Sequence, residues 1–299
     1  MIREFDYDIT DAEHGLTISD YLKKKGYPHA VFVHLKRTPN SILLNGTWEY
    51  VTTRLSTGDR LHISLIETEN SENIPPVAHN FSVCYEDEDI LVVNKPAKMP
   101  IHPSLNNYEN TLANAVCFYY QNQGVPYTFR CVNRLDRDTT GLTIIAKHML
   151  SSAILSQAVT KRDIHREYLA IVEGETKPYG TVDAPIGRKM NSTIERMVDE
   201  INGERAVTHY KRLAYSNGLS LRSLKLETGR THQIRVHMKH IGHPLIGDFL
   251  YNPSATQMER QALHSYRLTF THPITGREMV LTAPLPPDMN ALFPDIILP

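Results

Sequence analysis

Beyond residue 80 the apolar residues come in short runs and alternations, each bounded by turn formers. A chain patterned this way builds short strands mixed with few helices, which points to an α+β domain rather than a doubly wound sheet. Asp89-Ile90-Leu91-Val92-Val93-Asn94 and Leu142-Thr143-Ile144-Ile145-Ala146 read as buried strands, with others over residues 167–172 and 207–213. Leu219 and Leu221 alternate, but Leu224 and Leu226 are shifted by one position, so a bulge is expected between the pairs. Residues 264–271 and 278–282 form the arms of a hairpin, with His272-Pro273-Ile274-Thr275-Gly276 supplying its turn. Helices are expected over 111–120, where Leu112, Val116 and Tyr119 share a face, and over 151–159.

A break precedes this region. Residues 67–80, ETENSENIPPVAHN, are polar and acidic and carry a Pro-Pro pair, so they read as a linker with little to pack. Residues 1–66 then form a small module of their own. Ile18, Tyr21 and Leu22 lie at helical spacing and are followed by Lys23-Lys24-Lys25-Gly26, a basic end with a glycine stop. Ser41-Ile42-Leu43-Leu44 runs as a strand into an Asn45-Gly46 turn, and Thr57-Gly58-Asp59 turns into the alternating strand of Leu61, Ile63 and Leu65. This order resembles the S4 RNA-binding module. Its eight basic residues are matched by eight acidic ones, so a neutral scaffolding role is the alternative.

Bulk charge does not mark a nucleic-acid binder, because the formal net charge is -1. The distribution is less even. Residues 61–90 hold seven acidic groups and no Lys or Arg, whereas residues 205–243 hold eight Lys or Arg and the single acid Glu227. A phosphate backbone is repelled by the first stretch and attracted by the second. Cys84, Cys117 and Cys131 are odd in number and far apart, which fits reduced thiols and neither a disulfide framework nor a zinc cage. The start, MIREFDYDIT, is polar and unlike a signal peptide, and no apolar stretch is long enough to span a membrane. A cytoplasmic protein, with a monomer as the simplest state, is expected.

The segment 130–147, RCVNRLDRDTTGLTIIAK, crowds charged groups into a turn that runs straight into a buried strand. Reactive groups commonly sit on loops held by rigid strands. The plain reading is a surface turn with Arg-Asp pairs. A second is a phosphatase motif, because Asp136-Arg137-Asp138-Thr139-Thr140 matches D-x-D-x-T. That chemistry needs the apolar strand before the motif, and here it follows. A third comes from resemblance. Asn133-Arg134-Leu135-Asp136-Arg137-Asp138-Thr139-Thr140-Gly141-Leu142 resembles the H-R-L-D-x-x-T-S-G-L signature of the RluA-type pseudouridine synthases. Four further segments follow that family in order. They are Asn94-Lys95-Pro96 with His102-Pro103, the block from Arg166 through Tyr168 to Gly174, Gly229-Arg230-Thr231-His232-Gln233-Ile234-Arg235-Val236-His237, and Gly242-His243-Pro244-Leu245-Ile246-Gly247-Asp248. The departures are Asn133 for histidine, Thr140 for serine, Lys98 for glycine and Arg166 for lysine.

The resemblance implies a catalytic domain over 81–299, with a mixed, largely antiparallel sheet and a central cleft. It implies isomerisation of uridine to pseudouridine in ribosomal or transfer RNA. The reaction breaks N1–C1′ and joins C5 to C1′, with no oxidation and no hydrolysis, so neither cofactor nor metal is expected. It assigns the essential carboxylate to Asp136, its charge partner to Arg235, and the ring packed on the uracil to Tyr168. Arg134 would fill the space of the extruded base, and Arg230, Lys95 and His232 would contact RNA. His237, His240 and His243 have poor same-face spacing for a metal. The rival from another class is a non-catalytic RNA-binding or ribosome-assembly protein on the same fold.

Overall fold

A computed structural model describes residues 1–298. The chain opens with β1 (Ile2–Asp8), α1 (Ile18–Lys24), α2 (His29–Arg37), β2 (Ile42–Leu44), β3 (Thr47–Trp48) and β4 (Arg60–Ile66). These strands form a sheet in the order β1-β4-β2-β3. Asn45 and Gly46 both adopt positive φ, +52° and +82°, which is what a two-residue hairpin turn of this hand requires. Thr17 caps α1 by accepting from the Asp20 N–H at 3.1 Å.

The larger part begins with β5 (Ser82–Glu86), β6 (Ile90–Lys95), α3 (Leu112–Gln121), β7 (Thr140–Ala146) and α4 (Met149–Lys161). It continues through β8 (His165–Glu173), β9 (Tyr179–Asp183), β10 (Ile186–Arg188), β11 (Arg196–Val198), β12 (Val207–Ser216) and β13 (Leu219–Leu226). It closes with α5 (Gln233–His240), β14 (Leu263–Thr271), β15 (Glu278–Thr282) and the short α6 (Pro287–Asn290). One nine-stranded sheet carries it, in the order β5-β6-β7-β14-β8-β13-β12-β9, with β15 paired to β14. Every pairing is antiparallel except β14 with β7. The fold is thus α+β with a mixed, largely antiparallel sheet. Apolar clusters cover both faces. Leu169, Ile171 and Leu221 point to one side, Tyr168, Ala170 and Leu224 to the other.

The bulge expected between Leu221 and Leu224 is not in that strand: β13 pairs β8 without a shift, and its leucines change phase because Leu219 and Leu221 face one apolar cluster and Leu224 and Leu226 the other. A bulge does lie opposite, on β12, where Arg212 pairs with Arg222 and Ala214 with Leu221, leaving Leu213 unpaired. At Gly141, φ is +108°, and a Cβ would lie 2.3 Å from the Ser265 carbonyl oxygen. Only glycine lets β7 approach β14 here, immediately after the charged turn.

Residues 67–80 differ from the reading as a loose linker. They have no regular structure, yet polar groups tie them down. Asn70 and Ser71 side chains accept the Tyr127 and Phe129 N–H groups at 2.9 Å each, and Asn114 donates to the Pro75 carbonyl at 2.8 Å. Hydrogen bonds, with Ile74 packed against the core beside α3, hold this strap, which is why its polar composition hid it. The small module is likewise docked. Its core includes Leu150, with Met149, Ile154 and Ile274 packed against it from the larger part. At the seam Arg3 donates to Asp89 at 2.8 Å, and His148 bonds the same carboxylate at 2.9 Å.

Burial alone would raise the Asp89 pKa, but His148 and Arg3 overcome it and hold the carboxyl at about 2. A carboxyl depressed in the fold stabilises above its unfolded value, near 3.8, and loses that contribution as pH falls through about 2. The shift corresponds to roughly 2 kcal/mol. Urea unfolding across this window should show that loss in the wild type, and Asp89→Asn should flatten it while lowering the midpoint at neutral pH. An unchanged pH profile in the variant would remove Asp89 from the seam's energetics.

Candidate active site

The cleft lies on the face of the sheet that carries Tyr168, between the 133–139 turn and α5. The turn is rigid for a local reason. Asn133 is buried, accepts the Ile144 N–H at 2.8 Å and donates to the Leu142 carbonyl at 3.2 Å, so its amide acts like one more rung beside β7. Asn133 therefore braces the turn from within. Thr140 uses its hydroxyl on His264 Nδ1 at 2.8 Å.

The turn presents Asp136, about a quarter exposed, to the cleft. Arg235 Nη1 donates to Asp136 Oδ2 at 3.1 Å, joining residues 99 apart in sequence. Arg235 lies on α5 and is itself clamped. Its Nε and Nη2 donate to the two oxygens of Asp248 at 2.7 and 2.8 Å, and Asp248 is fully buried. Burial disfavours the guanidinium charge, but Asp248 first and Asp136 second more than offset this, so the pKa is raised. One cation thus bridges two carboxylates, and its planar fork has a fixed aim.

Tyr168 and Leu226 line the same pocket with Asp136, Arg134 and Arg230. Tyr168 is 5% exposed, and burial pushes its phenol up, with Arg166 opposing and the charge of Asp136 adding. His232 sits 3.9 Å from Asp136 and bonds the Tyr251 hydroxyl at 2.9 Å. Burial lowers its pKa, which favours the neutral ring. Gln233 holds the loop before α5. It accepts from Thr228 at 2.8 Å and the Arg230 N–H at 3.0 Å, and donates to the Val207 carbonyl at 3.0 Å. A wider cavity of about 470 Å³ continues from Asp136 past His102, Ile194 and Phe249.

The structure therefore brings together Asp136, Tyr168, Arg235, Arg134, Arg230 and His232. Lys95 needs correction. Its ammonium is buried and donates to the carbonyls of Pro96, Met99 and Arg137 at 2.8, 2.8 and 2.9 Å, so no phosphate reaches it. Burial pulls it down to about 7, against the pull of Asp138 and Asp136. Its place is underneath the Asp136 turn. The basic run at 205–243 also divides. Arg222 is fully buried with its guanidinium 4.1 Å from the Tyr210 ring, and Arg205, Arg212 and Arg230 each pair with a glutamate. Sequence reasoning does not single out Asp248, Gln233 or Tyr251, although Gln233 and Asp248 lie inside quoted blocks. His237 spends both ring nitrogens on Thr208 and the Ala184 carbonyl, and His243 spends Nδ1 on the Glu173 carbonyl.

Comparison with known proteins gives the class of a chain with this sheet and cleft, an RNA-modifying isomerase. The family model for RNA pseudouridylate synthases matches residues 89–240. An uncharacterised RNA pseudouridine synthase of Bacillus subtilis, YjbO, is 40% identical over 281 residues, covering 93% of this chain and 98% of the relative. The ribosomal large subunit pseudouridine synthase D of Zymomonas mobilis is 41% identical, covering 74% of this chain and 76% of the relative. Among solved structures, human RNA pseudouridylate synthase domain containing 1 superposes with a TM-score of 0.61 at 25% identity, over 73% of this chain and 89% of that one. The chain belongs to the RluA-type RNA pseudouridine synthase family. The phosphatase and non-catalytic readings give way to an enzyme that isomerises uridine in RNA.

Proposed function

We propose that Asp136 is the carboxylate of this isomerisation and that the substrate is a uridine extruded from ribosomal RNA. The observation that carries the reading is the Asp136–Arg235–Asp248 chain at the bottom of a cleft that also holds Tyr168. Arg235 holds the Asp136 carboxylate in a fixed direction while the closing base removes water. Asp136 acts at C6 of the uracil or at C1′ as N1–C1′ breaks. The uracil turns and C5 joins C1′, the bond to Asp136 is released, C5 gives up its proton to water, and N1, which kept the electron pair of the broken N1–C1′ bond, takes one. Tyr168 packs on the ring throughout. Its phenol, pushed up by burial, keeps its own proton at neutral pH and is a poor base for C5. Arg134, exposed at the rim beside Asp136, fills the stack that the base leaves. Arg230 and His232 contact the RNA backbone from the opposite wall.

The ribosomal assignment rests on the relatives named for the large ribosomal subunit. Residues 1–66 resemble an S4 module and are proposed as a second RNA contact, with 81–299 as the catalytic domain. A cytoplasmic location follows from that substrate.

Because C5 loses its hydrogen, 5-tritiated uridine in a large-subunit ribosomal RNA transcript should release tritium to water with this protein. The same tritiated label in transfer RNA should release little. Release from transfer RNA alone would overturn the ribosomal assignment.

A further inference from the structure

Asp136 and Arg235 line two hollows, and the uracil accounts for one of them. The first carries Tyr168 and Leu226. The second, of about 470 Å³, includes neither, and its walls are built from Pro100, His102, Ile194 and Phe249. Pockets for small organic ligands run to roughly 300–1,000 Å³, so the second hollow has the size of a further ligand.

Phe249 sets the character of that hollow. A tight turn holds it: Asp248 before it accepts the N–H groups of Leu250 and Tyr251 at 3.1 Å each. The Tyr251 hydroxyl is fixed in turn, accepting the Arg196 N–H at 2.9 Å and bonding His232 Nδ1 at 2.9 Å. The two rings of this turn differ in what covers them. Tyr251 is buried, with the Arg235 guanidinium 4.9 Å from its centroid. Phe249 is 56% exposed, and the same guanidinium lies 5.8 Å from its centroid. Arg235 donates to Asp136 at 3.1 Å, so the Phe249 ring stands one side chain away from the proposed reacting carboxylate. Ile194, 54% exposed, lines the same hollow. A single exposed apolar side chain means little, but two at one cavity, one of them a flat ring on a rigid turn, form a surface for an apolar face. The charges around it are cationic or already paired. Arg134 and Arg137 are both at this hollow, and its carboxylates, Asp136 and Asp138, are each bonded to an arginine. An aromatic face edged by arginines suits a nucleobase and its phosphate.

We infer that Phe249 is the stacking platform for a nucleobase directly flanking the extruded uridine. The neighbour of a uridine held beside Tyr168 is only one phosphate away, and this is the hollow that touches the same carboxylate. The inference rests on the reading of Asp136 as the site of reaction and adds what receives the next nucleotide. The ligand is an unpaired base, because a paired one keeps its faces inside the helix. Stacking accepts any base, so Phe249 contributes affinity and a demand for an open flank more than a choice of sequence.

Tritium release from the ribosomal transcript gives KM and kcat. Phe249→Ala is expected to raise KM about tenfold, the loss of one stacked base, with kcat within about twofold of wild type. Phe249→Leu keeps apolar bulk without a flat face and should raise KM nearly as far, whereas Phe249→Tyr should restore it to within about twofold. Tyr179→Ala is the control. Tyr179 is also exposed, but it pairs through Lys211 and Ser223 to Leu169, on the sheet face opposite Tyr168, and its loss should change neither quantity. In a synthetic stem-loop around the modified uridine, an abasic site on one flank should raise the wild-type KM about tenfold and leave that of Phe249→Ala where it was. Wild-type KM in Phe249→Ala overturns the platform, as does full recovery by leucine or an equal abasic penalty in both proteins. A fall in kcat at unchanged KM makes Phe249 a support for Arg235 and overturns it too. A wild-type protein that releases no tritium overturns the functional reading and this inference with it. An active wild type with an indifferent Phe249→Ala overturns the platform alone.

Discussion

Asp136→Asn is expected to lower turnover by about 10⁴-fold or more while leaving RNA affinity within about threefold of wild type. The substitution is nearly isosteric, and it removes the charge and the nucleophilic oxygen without emptying space. Arg235 keeps its two bonds to Asp248, at 2.7 and 2.8 Å, so the guanidinium stays where it was. Asp136 is partly exposed, so the neutral amide adds little burial cost. Stability should therefore hold. Single-turnover tritium release and filter binding on the same RNA separate the two quantities. Residual turnover near the wild-type rate would refute the carboxylate assignment, and loss of binding would show that Asp136 helps hold the RNA.

Asp248→Asn should lose stability as well as turnover. Asp248 never faces the cleft. It accepts both outer donors of Arg235 and the N–H groups of Leu250 and Tyr251, each at 3.1 Å. Neutralising it leaves a buried guanidinium with only the weaker partner, and breaking a buried pair costs about 3–5 kcal/mol. The melting temperature should fall by several degrees, and kcat by about 10²-fold, because the cation loses its aim. Asp136→Asn keeps stability and loses chemistry, whereas Asp248→Asn loses both. Chemical denaturation with steady-state kinetics distinguishes them. An Asp248→Asn protein with wild-type kcat would mean that Arg235 needs no clamp.

Much of the larger architecture was legible because strand periodicity survives in short apolar runs. The expected strands at 89–94 and 142–146 correspond to β6 and β7, and the expected hairpin to β14 and β15. The Arg235 and Asp136 positions, named from motif resemblance, meet at 3.1 Å. What stayed hidden has physical causes. The α5 sequence QIRVHMKH is buried over Gln233, Ile234, Arg235, Val236, His237 and Met238, so it shows no polar face from which a helical period can be read. Lys95 looked like a phosphate ligand because charge usually means surface, yet three carbonyls replace its water. Arg222 adds to a basic count and lies in the core. Glu167 carries a charge that a strand pattern would place outside, yet it is buried and accepts the Ser223 hydroxyl of β13 at 2.6 Å. None of these follows from residue type alone, because each depends on what another strand does nearby.

The seam between the small module and the sheet carries an evolutionary constraint. Met149, Leu150 and Ile154 on α4 and Ile274 in the hairpin turn are covered by the first 66 residues. A relative that dispenses with the module inherits an oily patch facing water, together with an Asp89 stripped of Arg3. A chain of this fold without the module would need polar side chains at those four positions, or another lid to cover them.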